Sequence, residues 1–264
     1  MLRAKRLNAL LLTLLLVVLA SCATPYDTVP SPMPENIEGM GVLVFTKIAG
    51  FRHPSIKVGA EAIQELGSTN NWTVVQTDNG AAFSPDYLSH FDVVVWLSTT
   101  WDVLSPEQEK AFESYIENGG GYVGIHAAAD TEYDWPWYGE TLVGTWFKDH
   151  PVFPNVRAAD VIIEDTTHAA TKDLPVRWNY TDEWYNFKKS PREVSGIQVL
   201  ASLDETSYDA GPGAMGDHPI IWCRSLGQGR AIYSGLGHTP ASFTDPLYLQ
   251  HLTGAINWAG GLID

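Results

Sequence analysis

The run Gly119-Gly120-Gly121-Tyr122-Val123-Gly124-Ile125-His126-Ala127-Ala128-Ala129-Asp130 combines a glycine turn, a short apolar strand and a histidine at its exit. Glycine permits φ > 0 and close chain approach. Tyr122, Val123 and Ile125 suit a strand buried on both faces. In α/β hydrolases the corresponding turn, Gly-x-Ser-x-Gly, lifts a nucleophile above the carboxyl edge of the sheet. Here Gly124-x-His126-x-Ala128 puts an imidazole in that place, able to act as base, electrophile or metal ligand. Asp130 adds a carboxylate four residues on.

Two more histidines share this setting. His53 follows the apolar run 42–46 through the loop Ala49-Gly50-Phe51-Arg52-His53-Pro54, and His238 follows the run 230–234 through Gly235-Leu236-Gly237. Parallel strands present their carboxyl ends along one edge, where open α/β sheets bind ligands. His150 and Glu183 come from the segment 131–190, which is dense in aromatic residues and poor in periodicity. Such a segment is placed to cover the edge where His126 emerges. Two chemistries fit. In one, His53, His126, His150 and His238 supply ligands for a divalent, zinc-like metal with a position left open. In the other, His126 and Glu183 or Asp130 do metal-free acid/base work beside a carbonyl, and Arg52 holds an anionic or hydroxyl-rich ligand. The competing structural roles are plain: His53 as a helix cap, His150 in solvent, Asp182-Glu183 as a solvated turn. His168 and His251 are expected at the surface, and His90 on a helix–strand connection.

The elements that must position these groups alternate. Strands are expected at 42–46, 72–77, 91–97 and 121–125. Pro54 begins a first helix with an Ile56, Ala60, Ile63, Leu66 stripe. Ser105-Pro106-Glu107-Gln108 is a capping box that opens a helix to about Glu117. A helix around 138–147, strands around 157–163 and 197–201, a hairpin turning at Gly227-Gln228-Gly229 and a closing helix over 246–258 complete the pattern. This is an α/β fold, flavodoxin-like, with a mostly parallel sheet, helices on both faces and an aromatic-rich insertion. No Gly-x-Gly-x-x-Gly follows the first strand, so no nucleotide cofactor is expected.

Composition narrows the partners. A net charge of −15 repels phosphate backbones, which argues against nucleic acid. Ten Trp and eleven Tyr are many for this length; core packing explains most of them, and aromatic faces also match the flat CH faces of sugars. Trp101 and Trp184 are the tryptophans expected to face a ligand. Cys223 lies in an apolar run and reads as a small buried hydrophobe. Residues 1–21 read as an export signal: Arg3, Lys5 and Arg6 precede an apolar run too short to span a bilayer. Leu19-Ala20-Ser21-Cys22 resembles a bacterial lipobox, which implies a lipid on Cys22. Residues 22–40 form a Pro-rich tether and 41–264 the folded domain. The expected location is the bacterial cell envelope, lipid-anchored, on the periplasmic or outer surface.

Gly50-Phe51-Arg52-His53, Gly119 through His126, Asp182-Glu183-Trp184-Tyr185 and Gly229-Arg230 through Gly237-His238, in that order, resemble the ThuA-like (trehalose-utilisation) family over roughly 41–260. That family is similar in fold to class I glutamine amidotransferases, which carry cysteine at the elbow where His126 stands. The resemblance therefore implies the fold and argues against amidotransferase chemistry. It also implies a role in bacterial sugar use, near oxidoreductases that make 3-keto sugars. Glu183 is a candidate catalytic residue, and Trp184 and Tyr185 are candidate substrate-binding residues. The expectation is a carbohydrate-catabolic enzyme acting on an oxidised (3-keto) sugar or glycoside by hydrolysis, elimination or isomerisation. The alternative is a non-catalytic sugar-binding lipoprotein.

Overall fold

Met40–Phe45 carries no charged side chain and every residue in it is buried, so it forms an interior strand, β1. In the computed structural model, residues 30, 32–34 and 36–263 are described. The export signal, Cys22 and most of the tether lie outside the described residues. Met33 and Ile37, at the tether's end, already pack against the core.

Helix α1 (Ser55–Asn70) leads to β2 (Trp72–Thr77), the single turn α2 (Pro85–Leu88) to β3 (Val93–Leu97), and α3 (Pro106–Glu117) to β4 (Gly121–Ile125). The expected capping box is present: Ser105 N–H donates to Gln108 Oε1 at 2.9 Å. After β4 the chain forms β5 (Phe147–Asp149), β6 (Val156–Ile163), β7 (Arg177–Glu183), β8 (Asn186–Phe187), β9 (Gln198–Asp204), the hairpin β10 (Pro219–Leu226) and β11 (Gly229–Ser234), and α4 (Pro246–Ala259). One nine-stranded sheet has the order β2-β1-β3-β4-β11-β10-β9-β6-β7. From β2 to β11 all neighbours are parallel; from β11 to β7 all are antiparallel.

Helices cover both faces. Gly121 faces α4 so closely that a Cβ would collide with the Ala259 carbonyl, whereas the next residue, Tyr122, meets Phe112 of α3. Adjacent strand residues point to opposite faces, so α3 and α4 lie on opposite sides of the sheet.

The segment 131–190 differs from expectation in two ways. Its strands β6 and β7 extend the main sheet, and only the small β5–β8 ribbon stands apart. The expected helix at 138–147 shortens to a π-helical turn, Trp137–Leu142. Trp146 packs on Gly139, where any side chain would collide with the indole, and Gly144 at φ 95° turns the chain away.

Just past the β4 exit, Glu132 adopts φ 55° and is buried. Its Oε1 accepts from Val103 N–H at 3.0 Å and Leu104 N–H at 2.9 Å, tying this turn to the loop before α3. Burial pushes its carboxyl up from 4.5 to about 8; the two N–H donors oppose that, and nearby Asp102 and Glu109 reinforce it. The native state thus holds this proton more tightly than the unfolded chain. Glu132's contribution to stability is complete below about pH 4.5 and lost as pH rises through about 8. Across that window the melting temperature of the wild type should fall more than that of Glu132→Gln. Equal slopes in thermal melts would contradict this.

Candidate functional site

Four ligand-type side chains meet at the carboxyl edge of the sheet. His126 leaves β4 with φ 48°, a left-handed turn that aims its ring back over the strand ends. His53 is brought in by the loop after β1, just before α1. His238 follows β11 through Gly237, whose φ is 108°. Glu183 ends β7. Four antiparallel pairings separate β7 from β11, so β7 again runs in the direction of β4 and delivers Glu183 to the same edge.

The contacts are short. His126 Nδ1 faces the Gly235 carbonyl at 3.0 Å. A neutral ring therefore carries its proton on Nδ1 and turns the Nε2 lone pair inward; the hydrogen-bond network assigns this tautomer. That Nε2 lies 3.0 Å from His238 Nδ1 and 3.4 Å from Glu183 Oε2. Glu183 Oε2 is also 3.0 Å from His238 Nδ1. The ring centres of His53, His126 and His238 form a triangle with sides of 4.9, 5.0 and 5.2 Å. His53 Nδ1 is buried without a hydrogen-bond partner, so this side chain does not cap α1. Burial, then the neighbouring His126 and His238, push His53 down to about 2, so its ring is neutral. Burial opposes ionisation of Glu183, but the surrounding imidazoles of His126 and His238 and the Asn155 amide outweigh it and hold the carboxyl well below the usual range.

One donor atom from each of His53, His126, His238 and Glu183 lies within 4.8 Å of all the others. Ligands about 2.0–2.1 Å from a tetrahedral metal sit about 3.3 Å apart. The spacings of 3.0 to 3.4 Å match a set that a single divalent cation could bridge. His150 stands outside this group: its Nδ1 faces the Pro151 carbonyl at 3.0 Å and lies 3.7 Å from the other oxygen of Glu183.

His53, His238 and Glu183 line a cavity of about 390 Å³ whose wall also includes Phe51, Asp130, His150 and Tyr185, while His126 is buried behind it. Tyr185 lays its ring on His126 at 4.1 Å and on Phe147 at 4.2 Å. Asp130 is half-buried; burial raises its carboxyl, and Tyr133 O–H donates to its Oδ1. A second cavity, about 440 Å³, lies near Leu88 and Tyr115 at the opposite edge and lacks any such cluster.

Several sequence expectations need correction. Trp184 has no exposed surface and donates its indole N–H to the Arg157 carbonyl, so no ligand reaches it. Arg52 points into a separate groove beside Lys57 and Glu61. Trp101 is exposed but stands outside the cavity wall. His251 is a core residue bonded to Ala170 O and Ser234 Oγ, and His168 is partly buried against Trp258. Asn155 was not singled out from the sequence, yet its Nδ2 donates to Glu183 Oε1 at 2.7 Å. The Asn155-Val156 start of β6 offered no motif to flag it.

The family model described as trehalose utilisation, ThuA, matches residues 41–259. The chain belongs to the ThuA family. A ThuA-like protein from Bacteroides uniformis is 25% identical, with a TM-score of 0.72 over 88% of this chain and 95% of that one. A ThuA-like protein from Parabacteroides merdae is 20% identical, with a TM-score of 0.64 over 84% and 90%. A β-galactosidase from Rahnella sp. R3 shares the fold alone, at 13% identity and TM-score 0.53, over 83% of this chain and 31% of that one. No curated protein matches the sequence.

In this ThuA chain the site rests on further buried groups. Asp182, fully buried beside Glu183, accepts from Gly237 N–H at 2.7 Å, Glu183 N–H at 3.0 Å and Ser242 O–H at 3.3 Å. It thereby joins the β7 end to the loop that carries His238. Tyr233 O–H donates to the His126 carbonyl at 2.7 Å and supports the left-handed turn. Asp182→Ala strands two buried N–H groups, each costing about 1–3 kcal/mol. It should therefore lower stability by roughly 2–4 kcal/mol in denaturant melts. A loss within about 0.5 kcal/mol would contradict this bracing role.

Proposed function

We propose that this protein is a carbohydrate-catabolic enzyme that removes a proton beside the carbonyl of an oxidised (3-keto) sugar or glycoside. The observation that carries the reading is the cluster of three imidazoles and one carboxylate, their donor atoms within 4.8 Å, beside a cavity lined by His53, His238, Glu183 and Asp130. His53, His126, His238 and Glu183 would hold a divalent, zinc-like cation, which would polarise the carbonyl oxygen. His126 suits this role because its Nδ1–H is fixed on the Gly235 carbonyl and its Nε2 is free to coordinate. His53 suits it because its buried Nδ1 has no partner.

Asp130 is the base in this reading. Burial raises its carboxyl, which brings it closer to the working pH of a general base. It takes the proton from the carbon next to the keto group, and the electron pair passes to the carbonyl oxygen. Expulsion of a substituent from the neighbouring carbon then gives elimination; reprotonation on the other face gives isomerisation. Tyr185 packs against the sugar, and His150 sits within reach of the same space. The N-terminal residues support a lipid anchor on Cys22 and the Pro-rich tether 22–40, holding the domain at the bacterial cell envelope. Its partners are then a small sugar and the membrane.

The test is turnover of 3-keto glucosides by the full-length protein. The wild type should consume them and leave the unoxidised glucosides intact. Asp130→Asn should cut kcat by about 10²–10⁴ with little change in KM. Tight binding of the same compounds with no turnover by the wild type would reject the enzyme and favour a sugar-binding lipoprotein.

A further inference from the structure

The two oxygens of the Glu183 carboxylate face different partners. Oε2 looks inward, 3.4 Å from His126 Nε2 and 3.0 Å from His238 Nδ1. Oε1 faces the loop between β5 and β6, where Asn155 Nδ2 donates to it at 2.7 Å. An ionised carboxylate only accepts, so the Asn155 amide presents its N–H here. Among the described residues, Asn155 is the one hydrogen-bond donor to Oε1. His150 Nδ1 lies 3.7 Å from the same oxygen, beyond hydrogen-bond reach, and faces the Pro151 carbonyl at 3.0 Å instead.

Strand pairing puts Asn155 in this place. Val156 pairs with Glu183 across β6 and β7, so Asn155 stands one residue past the paired end. Just before it, the Pro154 carbonyl accepts from Arg157 Nε at 2.9 Å. Arg157 in turn pairs with Asp182, and its carbonyl takes the Trp184 indole N–H at 2.9 Å. The tip of the same loop stands in water: Val152 is 83% exposed and Phe153 95% exposed. The anchored part of the loop is therefore the part that grips Glu183.

The last torsion of a glutamate side chain has a broad range. A Glu183 carboxylate free to turn about it would offer either oxygen, or both, to the imidazoles. Asn155 removes that freedom. We infer that Asn155 is a positioning residue that sets how Glu183 meets a metal: it holds Oε1 aside, so that Oε2 alone joins His53, His126 and His238. This rests on the metal reading above. Groups that orient a ligand from behind typically account for about 10–100-fold in metal affinity. Holding the second oxygen aside also leaves the metal a position for the carbonyl oxygen of a substrate.

Zinc affinity of the full-length protein, stripped of metal and measured by competition with a chelator, tests this. The wild type is set beside Asn155→Ala and Phe153→Ala. Asn155 is half-buried on a loop, so its loss should leave a domain that still melts cooperatively without metal. Asn155→Ala should bind zinc about 10–100-fold more weakly than the wild type. Phe153→Ala, on the same loop but facing water, should bind as the wild type does. Cobalt(II) in place of zinc reports the ligand set through its visible absorption. Asn155→Ala should shift those bands, and Phe153→Ala should not. Undiminished affinity or unshifted bands in Asn155→Ala, or an equal loss in Phe153→Ala, overturn the role of Asn155 and leave the metal reading standing. A folded wild type that takes up neither zinc nor cobalt overturns both.

Discussion

The hydrogen bond from His126 to the Gly235 carbonyl orients the site. It joins the exits of β4 and β11, and it decides which ring nitrogen faces inward. With Nδ1 committed, the Nε2 lone pair points at His238 and Glu183. One Nδ1–H on His238 then has two acceptors within 3.0 Å. Protein groups leave this cluster rich in lone pairs and short of positive charge, and burial makes that imbalance expensive. A shared cation is the simplest group that balances it. The left-handed backbone at His126 is what allows the ring to reach this position. Tyr233 and the Gly235 carbonyl hold that turn from either side.

Adjacent carboxyl groups show how far local contacts decide ionisation. Asp182 and Glu183 are neighbours at the end of β7, and both are buried. Burial dominates at Asp182 and raises its carboxyl, although it accepts from two backbone N–H groups. Glu183 faces the imidazoles and Asn155, and those partners lower its carboxyl despite burial. The same strand therefore supplies one group that braces the fold and one that is kept anionic toward the cavity.

Much of this arrangement was legible in the chain. Three histidines each follow an apolar run, and strand direction brings such exits together; the structure places all three around one point. The capping box of α3 and the hairpin glycines were readable because each rests on local chemistry. Position of Glu183 depended on more than local pattern. It reaches the edge only because β6 and β7 extend the sheet and the strand directions alternate. Nothing in residues 131–190 revealed that pairing, and those residues looked like a separate cover. Burial of Trp184 was equally hidden, since a tryptophan after a strand packs inward or outward with the same sequence signature. His251 read as a surface residue because its partners, Ala170 and Ser234, are distant in sequence.

The most direct measurement is the metal content of the purified full-length protein beside its His126→Ala variant, with melting temperatures recorded for both. The wild type should carry close to one equivalent of a divalent metal. That metal should be largely lost in a variant that remains folded, and added zinc should stabilise the wild type as a native-state ligand. A folded wild type that carries no metal, and whose melting temperature does not move with zinc, would contradict this.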